Sequence, residues 1–318
     1  MDTASWYRAF GQLEARGQSA VYEQWALGVA EDSALIALID ELPLQKRQPN
    51  LLFACARLLG APEGEYPAFR DWLVPRWQAV ASEVLVRRTQ TNEARRCASL
   101  LPALSLIPGP LALLEVGASA GLCLLPDRYS YSYNGGTHVD PPTGPSAVLL
   151  ECTSTGRMPR PTSVPRVVWR AGLDLHPLDV RDADDRLWLE TLVWPEQQER
   201  RQRLRAAIRI AAEDPPMLTR GDASELAALA GQAPDDATLV VITSAVLVYL
   251  PFADRMRFVD SLRALNVRWI SLEGLRGLPA VRAALPDDGG SDGRFVLALD
   301  EVPLAFTGPH GQSLEWIA

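Results

Sequence analysis

The stretch Leu111-Ala112-Leu113-Leu114-Glu115-Val116-Gly117-Ala118-Ser119-Ala120-Gly121 decides the fold class. An apolar run of strand length carries one acid, and small residues then follow at alternate positions, Gly117, Ser119 and Gly121. An apolar run closed by such a turn reads as a buried parallel strand entering a tight loop. Small residues there let the backbone approach a ligand, because a Cβ blocks the approach or forbids the positive φ that such turns use. The stretch is therefore expected to be the first strand and ligand loop of an α/β domain.

The chain downstream repeats the pattern. Residues 167–174 read as a strand running into Asp174, and residues 217–222 as a short strand again ending in an acid, Asp222. Residues 238–243 are a continuous β-branched run suited to a sheet covered on both faces, and 267–272 read as another strand. Helical patterns lie between them, at 182–212 with an interruption at Trp194-Pro195-Glu196, at 224–230 and at 252–265. Alternating strands and helices imply a doubly wound, mostly parallel, Rossmann-like sheet. Two last strands at 294–299 and 302–306, joined at Asp300-Glu301, imply an antiparallel C-terminal edge. The period-two run Arg128-Tyr129-Ser130-Tyr131-Ser132-Tyr133 meets Asn134-Gly135-Gly136, so residues 127–165 are expected to be a β-hairpin insertion with 147–152 as the antiparallel partner.

Upstream, residues 1–91 are expected to form an all-helical N-terminal domain and residues 92–318 the α/β domain. Trp6, Phe10 and Leu13 recur at helical spacing, as do Leu35, Leu38 and Leu42, with prolines as punctuation. Residues 66–86 read as one longer helix with Pro75 as a kink. Asn92 suits the N-cap of a helix running to Leu104.

Composition narrows the function classes. At 318 residues the chain slightly exceeds what one core usually supports, so a large domain with a smaller one is the default. A formal net charge of −8 argues against non-specific nucleic-acid binding, which needs a dense basic surface. Lys46 is the sole lysine, which excludes a P-loop and speaks against Schiff-base chemistry. Cys55, Cys97, Cys123 and Cys152 form no C-x-x-C pair, and His138, His176 and His310 show no zinc spacing, so no metal site is expected. The N-terminal residues lack the charge and apolar pattern of a signal peptide, and no apolar stretch reads as a membrane span. A reduced cytoplasmic setting without membrane association is the expectation.

In a doubly wound sheet, ligands bind at the carboxyl ends of the strands near the point where strand order reverses. Glu115, Asp174, Asp222 and Ser244 all fall at such ends. A carboxylate after the second strand can accept both hydroxyls of a ribose. Acids at strand ends also serve as turn or helix-cap residues, and Asp222 before Ala-Ser-Glu suits that role equally.

Glu115-x-Gly117-x-Ser119-x-Gly121 resembles the first motif of class I S-adenosylmethionine-dependent methyltransferases, an acid followed by alternating glycines, with Ser119 in place of the middle one. Gly172-Leu173-Asp174 resembles their ribose-binding motif, Gly221-Asp222-Ala223 their adenine-contacting acid, and residues 244–250 the segment beside the transferred methyl. Asn92-Glu93, the stretch 114–122, Val193-Trp194-Pro195-Glu196-Gln197, Arg220-Gly221-Asp222-Ala223 and Gly308-Pro309-His310-Gly311-Gln312-Ser313 together resemble an uncharacterised bacterial family, domain of unknown function 2332. The methyltransferase resemblance implies S-adenosylmethionine as cofactor and an unidentified small molecule as acceptor. Glu115 would order the methionine amino group, and the backbone of Gly117, Ala118, Ser119 and Gly121 would face the methionine part. Asp174 would hold the ribose, Asp222 the adenine, and Ser244 would stand beside the methyl. Trp194, Glu196, Tyr249 and His310 are the acceptor-side candidates, Trp194 for binding and the other three for catalysis.

Three other readings share these residues. Gly117-Ala118-Ser119-Ala120-Gly121 also fits the G-x-S-x-G nucleophile elbow of α/β-hydrolases, with Asp292 or Asp300 and His310 completing a triad. A nicotinamide dehydrogenase needs glycine where Leu122 stands. A non-catalytic nucleoside-binding module would use the same fold without the chemistry.

Overall fold

The computed structural model describes residues 2–265, 267–286 and 293–318. The chain divides into two compact units, Met1–Thr91 with Arg181–Arg205, and Asn92–Val180 with Ala206–Ala318. Residues 181–205 thus group with the N-terminal helices, although in sequence they lie between the two segments of the second unit and were expected within the second domain.

The first unit is built from helices, among them Thr3–Ala9, Ala20–Glu31, Ser33–Asp40, Pro49–Leu58, Tyr66–Leu73, Trp77–Val86 and Ala183–Leu192. Short polar side chains start four of them: Asp2, Ser19, Asp32 and Asp182 each accept a backbone N–H of the following turn. The helix expected over 66–86 is two helices, because Pro75 lacks the N–H that would continue the ladder and Val74–Arg76 tightens into a 3-10 turn. Tyr7, Tyr22, Trp25, Phe53 and Phe69 are fully buried at the centre, with Trp25 stacked on Phe69 at 3.9 Å between ring centroids. The recurring aromatics are the core of this unit.

The second unit carries the sheet. Its strands are β1 (Leu111–Val116), β2 (Ser130–Tyr133), β3 (Leu149–Thr155), β4 (Val167–Asp174), β5 (Met217–Arg220), β6 (Thr238–Ser244), β7 (Arg268–Gly274), β8 (Phe295–Leu299), β9 (Val302–Thr307) and β10 (Ser313–Trp316). They lie in the order β2-β3-β10-β9-β8-β7-β6-β1-β4-β5. The run β5-β4-β1-β6-β7 is parallel throughout. Chain order therefore reverses between β1 and β6, and their carboxyl ends share one edge of the sheet. This is an α/β fold with a mostly parallel sheet.

The antiparallel strands differ from expectation. β8 and β9 are joined by Asp300 and Glu301, both at positive φ (50° and 65°), the geometry of a tight hairpin turn. They do not form the edge, however. β10, which the sequence pattern did not reveal, pairs antiparallel with β9 and parallel with β3, and β2 lies beyond. The edges are β5 and β2. The 127–165 segment is also not the expected hairpin. Asn134 and Gly135 do make a tight turn, with φ of 54° and 65° and a Gly136 N–H to Tyr133 O bond of 3.0 Å. The returning chain pairs with β2 only at Tyr131–Val139, and β3 then lies parallel to β2 on its other side. Alternation of side chains says which residues share a face but carries no strand direction.

The pleat sorts the strand-end residues by face. Leu114, Val116, Ala171, Leu173, Val241 and Trp269 belong to one core cluster, with Leu226, Phe258 and Val259 from the helices Leu226–Ala230 and Phe252–Leu265. Side chains alternate, so Glu115, Asp174 and Ser244 share the opposite face. The helix Arg96–Leu104, buried along its whole length, supplies Arg96 to that face.

Candidate functional site

The loop after β1 is fixed by its neighbours at nearly every residue. The Gly117 and Ala118 N–H groups donate to Leu173 O at 2.8 and 3.3 Å, and Gly121 N–H closes on Ala118 O at 2.7 Å. Ser119 N–H donates to Asp174 Oδ2 at 2.8 Å, and Ala120 N–H to Asn92 Oδ1 at 2.9 Å. Asn92 Nδ2 donates to Ser119 Oγ at 2.5 Å. Asn92 is thus no helix cap: the helix begins at Arg96, and the amide is committed to the loop.

Glycine at 117 answers two demands. Its φ is 76°, and a Cβ there would lie 2.5 Å from Val246 Cγ2. The space beside Gly121 is filled by Pro216 and Leu218 in the same way. Smallness at these positions serves packing between strand-end loops. Ser119, at φ 51°, is buried in a left-handed conformation that costs a side-chain-bearing residue about 1–2 kcal/mol. Ala245, directly after β6, has φ 55°.

The acids fall into two kinds. Asp174 is half-buried, and its carboxylate accepts Ser119 N–H through Oδ2 and His176 N–H through Oδ1, both at 2.8 Å. Each oxygen keeps a second lone pair for a ligand. Asp222 is exposed and caps the turn that follows it, taking Ser224 N–H at 2.8 Å and Ser224 Oγ–H at 2.6 Å. Those bonds hold its carboxyl below the usual range. Glu115 is different. It is 4 % exposed, and its Oε2 accepts no hydrogen bond among the described residues. Burial pushes its carboxyl well above the usual range; Cys123 and Asp174 push the same way, while Arg96 pulls against them.

Three residues of the site escaped the sequence reading: Asn92 in this role, Arg96 and Glu273. Arg96 is 5 % exposed and donates from Nη1 to Ser244 O and Oγ at 3.1 and 3.2 Å, and from Nε to Pro309 O at 3.0 Å. It thereby ties the end of β6 to the turn between β9 and β10. That turn is shaped to receive it: a Cβ on Gly311 would overlap the Arg95 carbonyl, and His310 N–H is held by Gln312 Oε1 at 3.0 Å. Glu273 of β7 is buried and accepts Val246 N–H at 3.2 Å and Leu247 N–H at 3.3 Å. Burial raises its carboxyl to about 7, against the pull of the Val246 and Leu247 amides. No local sequence signal separates a buried arginine from the exposed ones; only the motif wording around Asn92 and His310 pointed here.

The structure brings Glu115, Ser119, Asp174 and Ser244 together at one sheet edge, with Asp222 two residues beyond β5. Tyr249 is 77 % exposed on the turn Leu247–Tyr249 that follows Ser244, and His310 lies half-buried beside Arg96's partner Pro309. Trp194 and Glu196 belong to the first unit and have structural work there. Trp194 packs on Phe10 and Tyr22 and donates to Asn50 Oδ1 at 3.0 Å, and Glu196 Oε1 accepts Val21 N–H at 2.9 Å at the start of Ala20–Glu31. For the elbow reading, Asp300 pairs with Arg268 and Trp269 N–H where β7 begins, the opposite edge from Ser119. Asp292 lies outside the described residues. Among the described residues, no helix is long and apolar enough to cross a membrane.

No curated protein and no solved structure matches the chain. A protein-family model matches residues 4–316, a span that includes the Asn92, Glu115, Asp222 and His310 segments gathered above. The chain belongs to the family described as an uncharacterized protein conserved in bacteria, DUF2332.

Proposed function

We propose that the carboxyl edge of β5-β4-β1-β6-β7 binds S-adenosylmethionine and that the chain methylates a small molecule. The observation that carries this reading is Glu115, a buried carboxyl with an oxygen that no described group satisfies, at the strand-order reversal. A buried polar atom without a partner is costly, and a ligand ammonium removes that cost.

The residues fit the group as follows. Glu115 takes the amino group, Asp174 the ribose hydroxyls through its remaining lone pairs, and Asp222 the adenine from its exposed position. The loop of Gly117, Ala118, Ser119 and Gly121 supplies a shaped wall; its amides are already committed to Leu173, Ala118, Asp174 and Asn92. Ser244 and Tyr249 stand toward the acceptor, with His310 on the neighbouring turn. Trp194 and Glu196 keep the structural duties described above and receive no catalytic role. When bound, the sulfonium supplies an activated methyl. The protein's contribution is then chiefly to hold two reactants in line, which needs no dedicated base.

A non-catalytic nucleoside-binding protein would use the same carboxylates, and methyl transfer to any acceptor separates the two. The direct test is thermal unfolding with S-adenosylmethionine and S-adenosylhomocysteine. Ligand at about 100 times its dissociation constant adds about 2.7 kcal/mol of stability. A folded protein whose melting temperature is unmoved by millimolar ligand refutes the proposal.

A further inference from the structure

Cys97 and Cys123 lie side by side in the second unit. Cys97 stands in the first turn of the helix Arg96–Leu104, and Cys123 in the turn Leu122–Leu124 that leaves the loop after β1. Cys97 Sγ–H donates to Cys123 O at 3.6 Å, and Cys123 Sγ–H to Glu93 O at 3.6 Å. The two side chains also hydrogen-bond each other. Cys97 is fully buried and Cys123 is 7 % exposed. Cys55 and Cys152 are buried as well, but among the described residues neither bonds to another cysteine.

The pair is chemically uneven. Its hydrogen bond to Cys97 holds the Cys123 thiol below the ordinary range; burial opposes this, Arg96 assists it and Glu93 opposes it. Burial raises the Cys97 thiol well above that range, and the contact with Cys123 raises it further. Burial also pushes Cys55 up to about 12 and Cys152 up to about 11. The thiolate is the reactive form of a cysteine. Cys123 is therefore the nucleophile among them, and Cys97 is the thiol placed to react next.

We propose that Cys97 and Cys123 form a redox-sensitive modification site, which a small hydroperoxide closes to a disulfide. The Cys123 thiolate attacks a peroxide oxygen and the O–O bond breaks. The other oxygen leaves and takes a proton, as water or an alcohol, and Cys123 becomes a sulfenic acid. The Cys97 sulfur then displaces the hydroxyl: the S–S bond forms, the S–O bond breaks, and the Cys97 proton departs in the water released. The two sulfurs together give up the electron pair that reduces the peroxide. Burial restricts the reaction to oxidants small enough to reach the pair. The chain between the two cysteines contains β1 and the loop 117–121, so the cross-link fastens both flanks of the candidate site. The modification does not depend on which ligand that site takes.

The test is mass spectrometry of the full folded chain treated with a modest excess of hydrogen peroxide, then unfolded and alkylated with N-ethylmaleimide. Before alkylation the product should be about 2 Da lighter than the untreated chain, and peptide mapping should join Cys97 to Cys123. Cys55 and Cys152 should take maleimide as they do in the untreated chain, and dithiothreitol should restore both lost thiols. Cys97→Ser removes the second thiol, so Cys123 should stop at the sulfenic acid and be trapped by dimedone. In Cys123→Ser, Cys97 should stay reduced. Free thiols at Cys97 and Cys123 after treatment overturn the proposal, as does oxidation of Cys55 or Cys152 ahead of the pair. Oxidation of Cys97 in Cys123→Ser at the parent's rate overturns the assignment of Cys123 as nucleophile. Mapping of the parent needs no substitution, so it decides even where a serine variant fails to fold.

Discussion

The Asn92 side chain holds Ser119 and its successor at once, donating to Ser119 Oγ at 2.5 Å and accepting from Ala120 N–H at 2.9 Å. One amide therefore sets the loop after β1 from a residue that precedes the strand. Asn92→Ala leaves the buried Ala120 N–H without a partner and should lower stability by about 2–4 kcal/mol. Asn92→Asp keeps the acceptor and should recover more than half of that. Urea denaturation of the three proteins checks it, and equal losses for Ala and Asp would mean the Ala120 bond contributes little.

Gly117→Ala should be among the most damaging single changes in the second unit. The new methyl meets Val246 at 2.5 Å, and φ of 76° adds strain, together about 3 kcal/mol or more. Val246→Ala in the same chain removes the Cγ2 clash but leaves the Cβ of residue 246 at 2.8 Å and the backbone term. The double variant should recover part of the loss, and a denaturation cycle measures how much.

How far the sequence revealed this arrangement depends on the range of each signal. The 111–121 and 238–243 runs declare themselves because a strand buried on both faces is a local pattern. The turn at Asn134-Gly135 is likewise local, but the chain it returns meets β2 only at Tyr131–Val139, and the parallel pairing of β3 with β2 is not written in alternation. β10 is four residues behind a Gly-Pro-His-Gly turn, too short to register. Arg96 and Glu273 were missed because burial of a charge is decided by elements far along the chain. Trp194 and Glu196 sit in a motif whose wording suggested a site, while its geometry supports the aromatic core and one helix start.

Ser119 tests the two enzyme readings. Its φ of 51° means that alanine does not relieve the strained backbone, whereas glycine does. Ser119→Ala and Ser119→Gly both release Asn92 Nδ2, so the glycine variant should be the more stable by about 1 kcal/mol. Both should bind S-adenosylhomocysteine within about tenfold of the parent. A fluorophosphonate probe should not label Ser119, which is 3 % exposed and hydrogen-bonded to Asn92 rather than to a histidine. Labelling lost in Ser119→Ala would establish a nucleophile.

Glu273 predicts a pH dependence of stability. Its carboxyl rises from the ordinary 4.5 to about 7 in the folded chain through burial. The folded state therefore holds a proton that the unfolded state releases, and the folded carboxyl is favoured at low pH. Its contribution should be intact below about pH 4.5 and decline as pH rises to about 7, by roughly 3 kcal/mol in all. Glu273→Gln lacks that decline. Denaturation midpoints of both proteins between pH 4.5 and 8 should diverge with increasing pH in favour of the variant, and parallel curves would show that Glu273 titrates normally.

Asp174 links the loop to the proposed ribose site, and the two roles can be separated. Asp174→Ala removes the acceptor of Ser119 N–H and of His176 N–H, so it should loosen the loop and weaken nucleoside binding together. Asp174→Asn retains one carbonyl oxygen, which can serve only one of those amides, and loses the charge that strengthens bonds to hydroxyls. It should stay folded with a modest loss of stability. The informative comparison is S-adenosylhomocysteine against its 2′-deoxyribose analogue. If the carboxylate accepts the 2′-hydroxyl, the parent should prefer the ribose form by about ten- to hundredfold, a charge-assisted hydrogen bond. In Asp174→Asn the preference should shrink to a few-fold, because a neutral amide binds the 2′-hydroxyl more weakly than the carboxylate does. A preference unchanged by the substitution, in a variant that still binds, would place the ribose elsewhere and reduce Asp174 to its part in holding Ser119.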